Sequence, residues 1–75
     1  MEIDIRNTFA KNIISYRKTK SLTQEQLSNS LDVNRCVIGS WEERRSFPKV
    51  ETLIKISHLL QVSINDIIEK NVVWN

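Results

Sequence analysis

Cysteine, histidine, glycine and proline occur only once each in this 75-residue chain. The lone Cys36 excludes an internal disulfide and cannot form a cysteine-based metal site, and a single histidine adds no zinc-ligand spacing. No metal and no cofactor is therefore expected. No run of about 18 or more apolar residues is present, so no membrane-spanning helix is expected. The amino terminus, MEIDIRNTF, lacks the basic-then-apolar form of a secretion signal, which points to a soluble, cytoplasmic chain with no membrane partner. Material for catalysis is missing too. His58 lies beside Ser57, but no carboxylate, cysteine or oxyanion-type loop completes a nucleophilic set, so no enzymatic activity is expected. Nothing suggests a pocket for a small-molecule ligand.

Acidic residues are absent from one stretch in particular. Residues 6–20 hold Arg6, Lys11, Arg17, Lys18 and Lys20 with no Asp or Glu, although the formal net charge of the whole chain is only +2. Arg35, Arg44, Arg45 and Lys49 form a second basic group, offset by Glu42 and Glu43. Charge segregated in this way can build a positive face despite a near-neutral total. It also fits an ordinary solvated surface, so it needs a motif beside it.

Strand-like alternation never persists beyond a few residues, and no internal repeat or low-complexity tract appears. Helical spacing does. Phe9, Ile13 and Tyr16, with Ala10, Ile14 and Arg17 adjacent, predict a first helix over about 6–19. Ser46-Phe47-Pro48-Lys49 is the loop with a strong breaker. Val50, Leu53, Ile54, Ile56 and Leu60 mark a further helix over about 50–60, and Ser63 with Asp66 caps a last one through Ile64, Ile67 and Ile68. A chain this short buries only about 60% of its unfolded surface, so packed short helices or a dimer are the routes to stability.

The centre of the chain, LTQEQLSNSLDVNRCVIGSWEER over residues 22–44, carries the most information. Thr23 is a good N-cap, Gln26 completes a capping box, and Leu22 with Leu27 can form a hydrophobic staple. Leu27 and Leu31 give this helix, over about 24–31, one apolar stripe. Asp32-Val33-Asn34 then breaks the pattern: Asp tolerates a left-handed turn, and Asn34 can cap the next helix over about 35–43. Ile38 and Trp41 bury one face of that helix. Two short helices joined by a tight turn make a helix-turn-helix.

This stretch resembles the lambda-repressor-like (Cro-type) helix-turn-helix family. The resemblance rests on Leu22-Thr23-Gln24, Leu27, the turn at 32–34, and Ile38, Trp41 and Glu42. It continues upstream in Ile13, Tyr16 and Arg17, and downstream in Pro48-Lys49-Val50-Glu51-Thr52-Leu53 and Leu60-Gln61-Val62-Ser63. It implies an all-α, compact five-helix DNA-binding domain spanning residues 1–75, with a short apolar tail at 71–75. The family often has glycine where this chain has Ser21, Asp32 and Arg44. A left-handed Ser or Arg would be strained by about 1 kcal/mol, so the first and third helices are expected to end differently. The lone Gly39 sits inside the expected recognition helix, where glycine costs roughly 1 kcal/mol against alanine.

An α-helix fits the major groove, where base edges present their donor and acceptor pattern. With Ile38 and Trp41 inward, Cys36, Gly39, Ser40 and Glu43 fall on the opposite side at about 100° per residue. The resemblance places Arg35, Cys36 and Ser40 at the bases, flanked by Asn34 and Val37. Arg35 is the leading base reader, since arginine pairs bidentately with guanine O6 and N7. Gln24, beside Thr23 at a helix start, matches a family phosphate contact that sometimes braces the recognition helix. Arg44, Arg45 and Lys49 are expected on phosphates, giving affinity and register without sequence information. Arg17 and Glu42 match a structural ion pair of the family.

The expected function is sequence-specific binding of double-stranded DNA by a small transcriptional regulator, a repressor acting as a homodimer on an inverted repeat. The rival reading is an antitoxin-like module whose main partner is another protein. Three readings stay open for Val72-Val73-Trp74: against the chain's own first helix, in a dimer interface, or disordered. Together with Ile64, Ile67 and Ile68 these residues offer more apolar surface than a chain end is expected to need for itself.

Overall fold

The computed structural model describes residues 4–74, so the start of MEIDIRNTF and Asn75 of the tail lie outside the described residues. Five helices follow in order: α1 (Ile5–Thr19), α2 (Gln24–Leu31), α3 (Arg35–Glu42), α4 (Val50–Leu60) and α5 (Ile64–Glu69). The all-α, five-helix expectation holds, with boundaries within a residue of those read from the sequence. Asp4 caps α1 by accepting from the Asn7 N–H, a start the sequence reading did not mark.

The caps read from sequence form as expected. Thr23 Oγ1 accepts from the Gln26 N–H while Gln26 Oε1 accepts from the Thr23 N–H, so both halves of the capping box are made. Asn34 Oδ1 accepts from the Cys36 N–H, and Ser63 Oγ from the Asp66 N–H. Phe9, Ile13, Leu27, Leu31, Ile38, Ile56 and Ile67 are fully buried and draw all five helices into one core. Phe9 sits edge-on to Trp41 and to Phe47, at centroid distances of 5.7 and 5.4 Å. Val50 and Ile54 do not join it. They lie on the outer flank of α4, while Leu53, Ile56 and Leu60 face inward.

The helix ends overturn one expectation. Ser21 and Arg44 are left-handed after all, with φ of 56° and 65°, as are Asp32 (55°) and Gln61 (57°). None is glycine, so each pays steric strain that something must offset. The hydrogen bonds show what does. The Leu22 N–H reaches Arg17 O while Ser21 reaches Lys18 O; Val33 reaches Ser28 O while Asp32 reaches Asn29 O; Arg45 reaches Ser40 O while Arg44 reaches Trp41 O. These are Schellman pairs, satisfying helix-end carbonyls that would otherwise be orphaned. Val62 closes α4 on Ser57 O. Leu22, Val33 and Val62, each one residue past the turn, also pack against the core and pull the chain round.

A second correction concerns the tail. Asn12 is 2% exposed, and its amide donates to Ile67 O at 2.7 Å and Lys70 O at 2.8 Å while its Oδ1 accepts from the Val72 N–H. Trp74 Nε1 donates to Ser15 Oγ at 2.8 Å, and its ring meets Tyr16 edge-on at 5.0 Å. The tail therefore lies on α1, and only Val73 of the three apolar residues is left in solvent, at 87% exposure. Ile67 is fully buried and Ile64 and Ile68 pack on the core, so the carboxy-terminal apolar residues are mostly consumed by the domain itself.

Left-handed strain without glycine predicts a simple gain. Gln61→Gly or Ser21→Gly should relieve about 1–2 kcal/mol of strain, less the roughly 0.4–1 that glycine returns to the unfolded chain. The net of about 0.5–1 kcal/mol should raise Tm by about 2–8 °C. A melt unchanged or lowered in both variants would show that the turns carry no strain.

Candidate nucleic-acid interface

Recognition by a helix needs that helix held in one orientation, and here the hold is on its last residue. Glu42 is 9% exposed, and its carboxylate is met by Arg17 Nε at 2.8 Å, Arg17 Nη2 at 3.0 Å and Gln24 Nε2 at 3.1 Å. Arg17 comes from α1 and Gln24 from α2, so one carboxylate joins three helices. Arg17 also donates to Leu22 O at 3.1 Å, bracing the turn ahead of α2. The hydrogen bonds and charge of Glu42 outweigh burial and hold the Arg17 guanidinium above its ordinary value.

The other end of α3 is open. Arg35 is exposed, has no hydrogen-bonding partner among the described residues, and lines a groove with Arg17, Thr23, Gln24 and Glu25. Cys36 is exposed beside it. Asn34 is exposed, its Oδ1 spent on capping α3 and its amide N–H groups free. Ser40 is half-buried and accepts from Ser46 Oγ at 2.9 Å, which leaves its own hydroxyl hydrogen to donate. Val37 differs. It is half-buried against the core, lining a cavity with Val33, Trp41, Phe47 and Pro48, which restricts it to the edge of any groove contact.

The expected phosphate contacts divide. Thr23 Oγ1 accepts from Gln26, and its hydroxyl hydrogen remains available. Gln24 gives one amide hydrogen to Glu42 and so braces α3, keeping its Oε1 and a second N–H. Lys49 is exposed immediately before α4. Arg45 pairs loosely with Glu43 at 3.6 Å, both well exposed, a pairing worth little in water. Arg44 is exposed but tied to the fold: Nε donates to Asn7 Oδ1 and Nη1 to Glu42 O, each at 2.8 Å. A Cβ on Gly39 would meet Gln24 Oε1 at 3.7 Å, an ordinary contact, so the fold itself has room for alanine there.

Sequence reasoning missed Asn7, Asn12 and Ser46. Asn12 carried a readable signal, a polar residue three from Phe9 and four from Tyr16 on the apolar stripe of α1. Asn7 carried none, because its partner Arg44 is 37 residues away, and Ser46 meets Ser40 only once the left-handed turn at Arg44 brings the chain back past α3.

The helix-turn-helix family model HTH_3 matches residues 13–67, an interval running from α1 into α5. The chain belongs to the helix-turn-helix family. That family is one of DNA-binding transcriptional regulators, and the resemblance read from residues 22–44 is borne out. The chain is 37% identical over 60 residues to the HTH-type transcriptional activator BcrR of Enterococcus faecalis, covering 80% of this chain but 29% of that one. It is 36% identical over 62 residues to control protein C.SmaI of Serratia marcescens, covering 83% of this chain and 74% of that one. A solved transcriptional regulator from Listeria innocua matches with a TM-score of 0.77 and 25% identity over 89% of this chain and 64% of that one. A hypothetical transcription factor from Neisseria shares the fold at a TM-score of 0.79 and 22% identity, covering 89% and 77%. Among the described residues no helix is long and apolar enough to cross a membrane, and no cluster of His, Cys, Asp or Glu is placed to hold a metal ion.

Arg17→Ala leaves Glu42 charged and buried with Gln24 as its remaining partner. Breaking a fully buried pair costs about 3–5 kcal/mol. With Arg17 at 18% side-chain exposure the loss should fall near the lower end, about 3 kcal/mol and a Tm drop of roughly 12–24 °C. A melt indistinguishable from the parent would show that the pair contributes no stability.

Proposed function

We propose that this chain represses transcription by binding an inverted-repeat operator as a homodimer, reading bases with the amino-terminal half of α3. The observation that carries the reading is the asymmetry of α3. Its carboxy-terminal residue is locked to α1 and α2 through Glu42, while Arg35 and Cys36 at the other end stand exposed and unengaged. Arg35 takes the role of base reader, with Cys36, Ser40 and Asn34 beside it and Val37 at the margin. Thr23, Gln24, Arg45 and Lys49 take phosphates, the first two aided by the free N–H groups at the start of α2.

The homodimer is supported by scale. One helix of eight residues reads few base pairs, and two copies with recognition helices about 34 Å apart double the site. Val50, Ile54, Leu59 and Val73 stay exposed and give a second copy apolar surface to cover. Repression needs only occupancy of a promoter, which a domain of this size supplies. The antitoxin-like alternative drew on an apolar Val72-Val73-Trp74 patch, but Trp74 packs on the core and Val72 is half-buried, with its backbone N–H bonded to Asn12.

Duplexes enriched by this chain from a random library supply the test. Arg35→Ala should lose about 1–3 kcal/mol on the enriched duplex and little on random DNA. Lys49→Ala should weaken both alike and flatten the salt dependence by about one unit of slope. An unchanged ratio of enriched to random affinity in Arg35→Ala removes it as a base reader.

Oligomeric state is checked on the same material. Sedimentation at tens of micromolar should show a dimer, and the enriched sequence should be two-fold symmetric with half-sites about one helical turn apart. A monomer that binds an asymmetric sequence at full affinity would defeat the homodimer.

A further inference from the structure

The turn after α3 differs from the other three left-handed turns. After α1, α2 and α4 an apolar residue, Leu22, Val33 or Val62, packs on the core just past the turn. After α3 that position is Arg45, whose side chain is 74% exposed and anchors nothing. Arg44 therefore sits at φ 65° without the apolar hold its counterparts have. Its own side chain supplies one. Nη1 caps the exposed end of the helix at Glu42 O, and Nε reaches α1 at Asn7 Oδ1, both at 2.8 Å. Asn7 and Arg17 are ten residues apart on a straight helix, about 15 Å along its axis. The end of α3 is thus tied to α1 at two separated points, through the Glu42 side chain and through its carbonyl.

We propose that Arg44 is a positioning residue, acting through Asn7 to fix the tilt of the recognition helix on α1, and not a phosphate contact. Glu42, held by Arg17 and Gln24, aims α3 but meets α1 at a single point, and rocking of the helix about that carboxylate is the freedom left to it. A second tie some three turns away along α1 restrains that rocking, so the backbone of α3 carries Arg35 to base edges already oriented and only the side chain is left to order. Phosphate contacts tolerate such a pivot far better, because they follow charge and not a fixed donor pattern. The consequence is that sequence discrimination, not general DNA affinity, depends on Asn7 and Arg44.

The inference rests on the base-reading role of α3 proposed above, and the experiment separates the two. Arg44→Gly removes the guanidinium and leaves the residue best suited to the left-handed turn, so the variant keeps its fold. Asn7→Ala removes the acceptor. Each should bind the enriched duplex about five- to tenfold more weakly with random-duplex affinity and salt slope unchanged, and the double variant should lose no more than either single one. Asn7→Asp, which restores an acceptor for the guanidinium, should recover the loss. Arg44→Gly losing equally on enriched and random duplexes, with a slope flatter by about one unit, would make Arg44 a phosphate contact and overturn the inference. An unchanged ratio of enriched to random affinity in both single variants would overturn it as well. Enrichment of no sequence by the parent chain would instead overturn the base-reading role, and this one with it.

Discussion

The Glu42 carboxylate is the constraint on which the rest of the domain depends. Hydrophobic burial is non-directional. Ile38 and Trp41 can draw α3 onto the core, but apolar contact alone leaves its rotation and tilt loosely set. A buried carboxylate demands donors at fixed angles, and isolated in the interior it costs several kcal/mol. Arg17 meets it in a fork, and Gln24 adds a third donor. The fork geometry of arginine suits a carboxylate in a way lysine does not. Directional bonding at one end of α3 thus converts a helix that is merely buried into one that is aimed.

That arrangement explains how side chains are shared between fold and function. Gln24 sits at a helix start, the place proposed for a phosphate, and part of its amide already serves Glu42. Asn34 and Ser40 lie on the recognition helix or its cap, and each has one local bond made and others free. Such residues arrive at a ligand already oriented, which lowers the ordering cost of contact. Arg35 is the exception. It is long, exposed and unengaged, so as the proposed base reader it would adapt to its target and lose rotamer freedom on binding.

Local features of the fold were legible in the sequence because their causes are local. The capping box at Thr23 and Gln26, the Asn34 and Ser63 caps and the Ile38–Trp41 face all depend on residues within four positions of each other. The left-handed turns show where such reading stops. Residue type at Ser21 and Arg44 reports the strain of the conformation but not what offsets it. The offset comes from backbone bonds that close only once the helix has formed, and from Leu22 reaching a core built by other helices. Arg44 needed Asn7, 37 residues away. The tail was misjudged for the same reason: counting apolar residues gave a surplus, and the hub at Asn12 that draws residues 67–74 onto α1 is a single polar side chain whose partners are backbone groups.

Charge follows the same logic. Arginines close to the recognition helix differ in what they are tied to: Arg17 is bonded to the Glu42 carboxylate, the exposed Arg44 to Asn7 and the Glu42 carbonyl, and Arg45 lies loosely beside Glu43. Thr23, Arg45, Lys49 and the uncommitted half of Gln24 are the groups proposed above for phosphates. Each phosphate neutralised contributes about 0.9 to the salt slope, and few contacts mean modest affinity for any one duplex end. A domain that commits cations to holding a helix keeps fewer of them for phosphates. Grip then has to come from doubling the site, because joining two such domains multiplies affinity without adding a contact to either. The bonds that tie Arg17 and Arg44 to the fold therefore favour the proposed pair of copies on one operator, independent of any apolar surface between them.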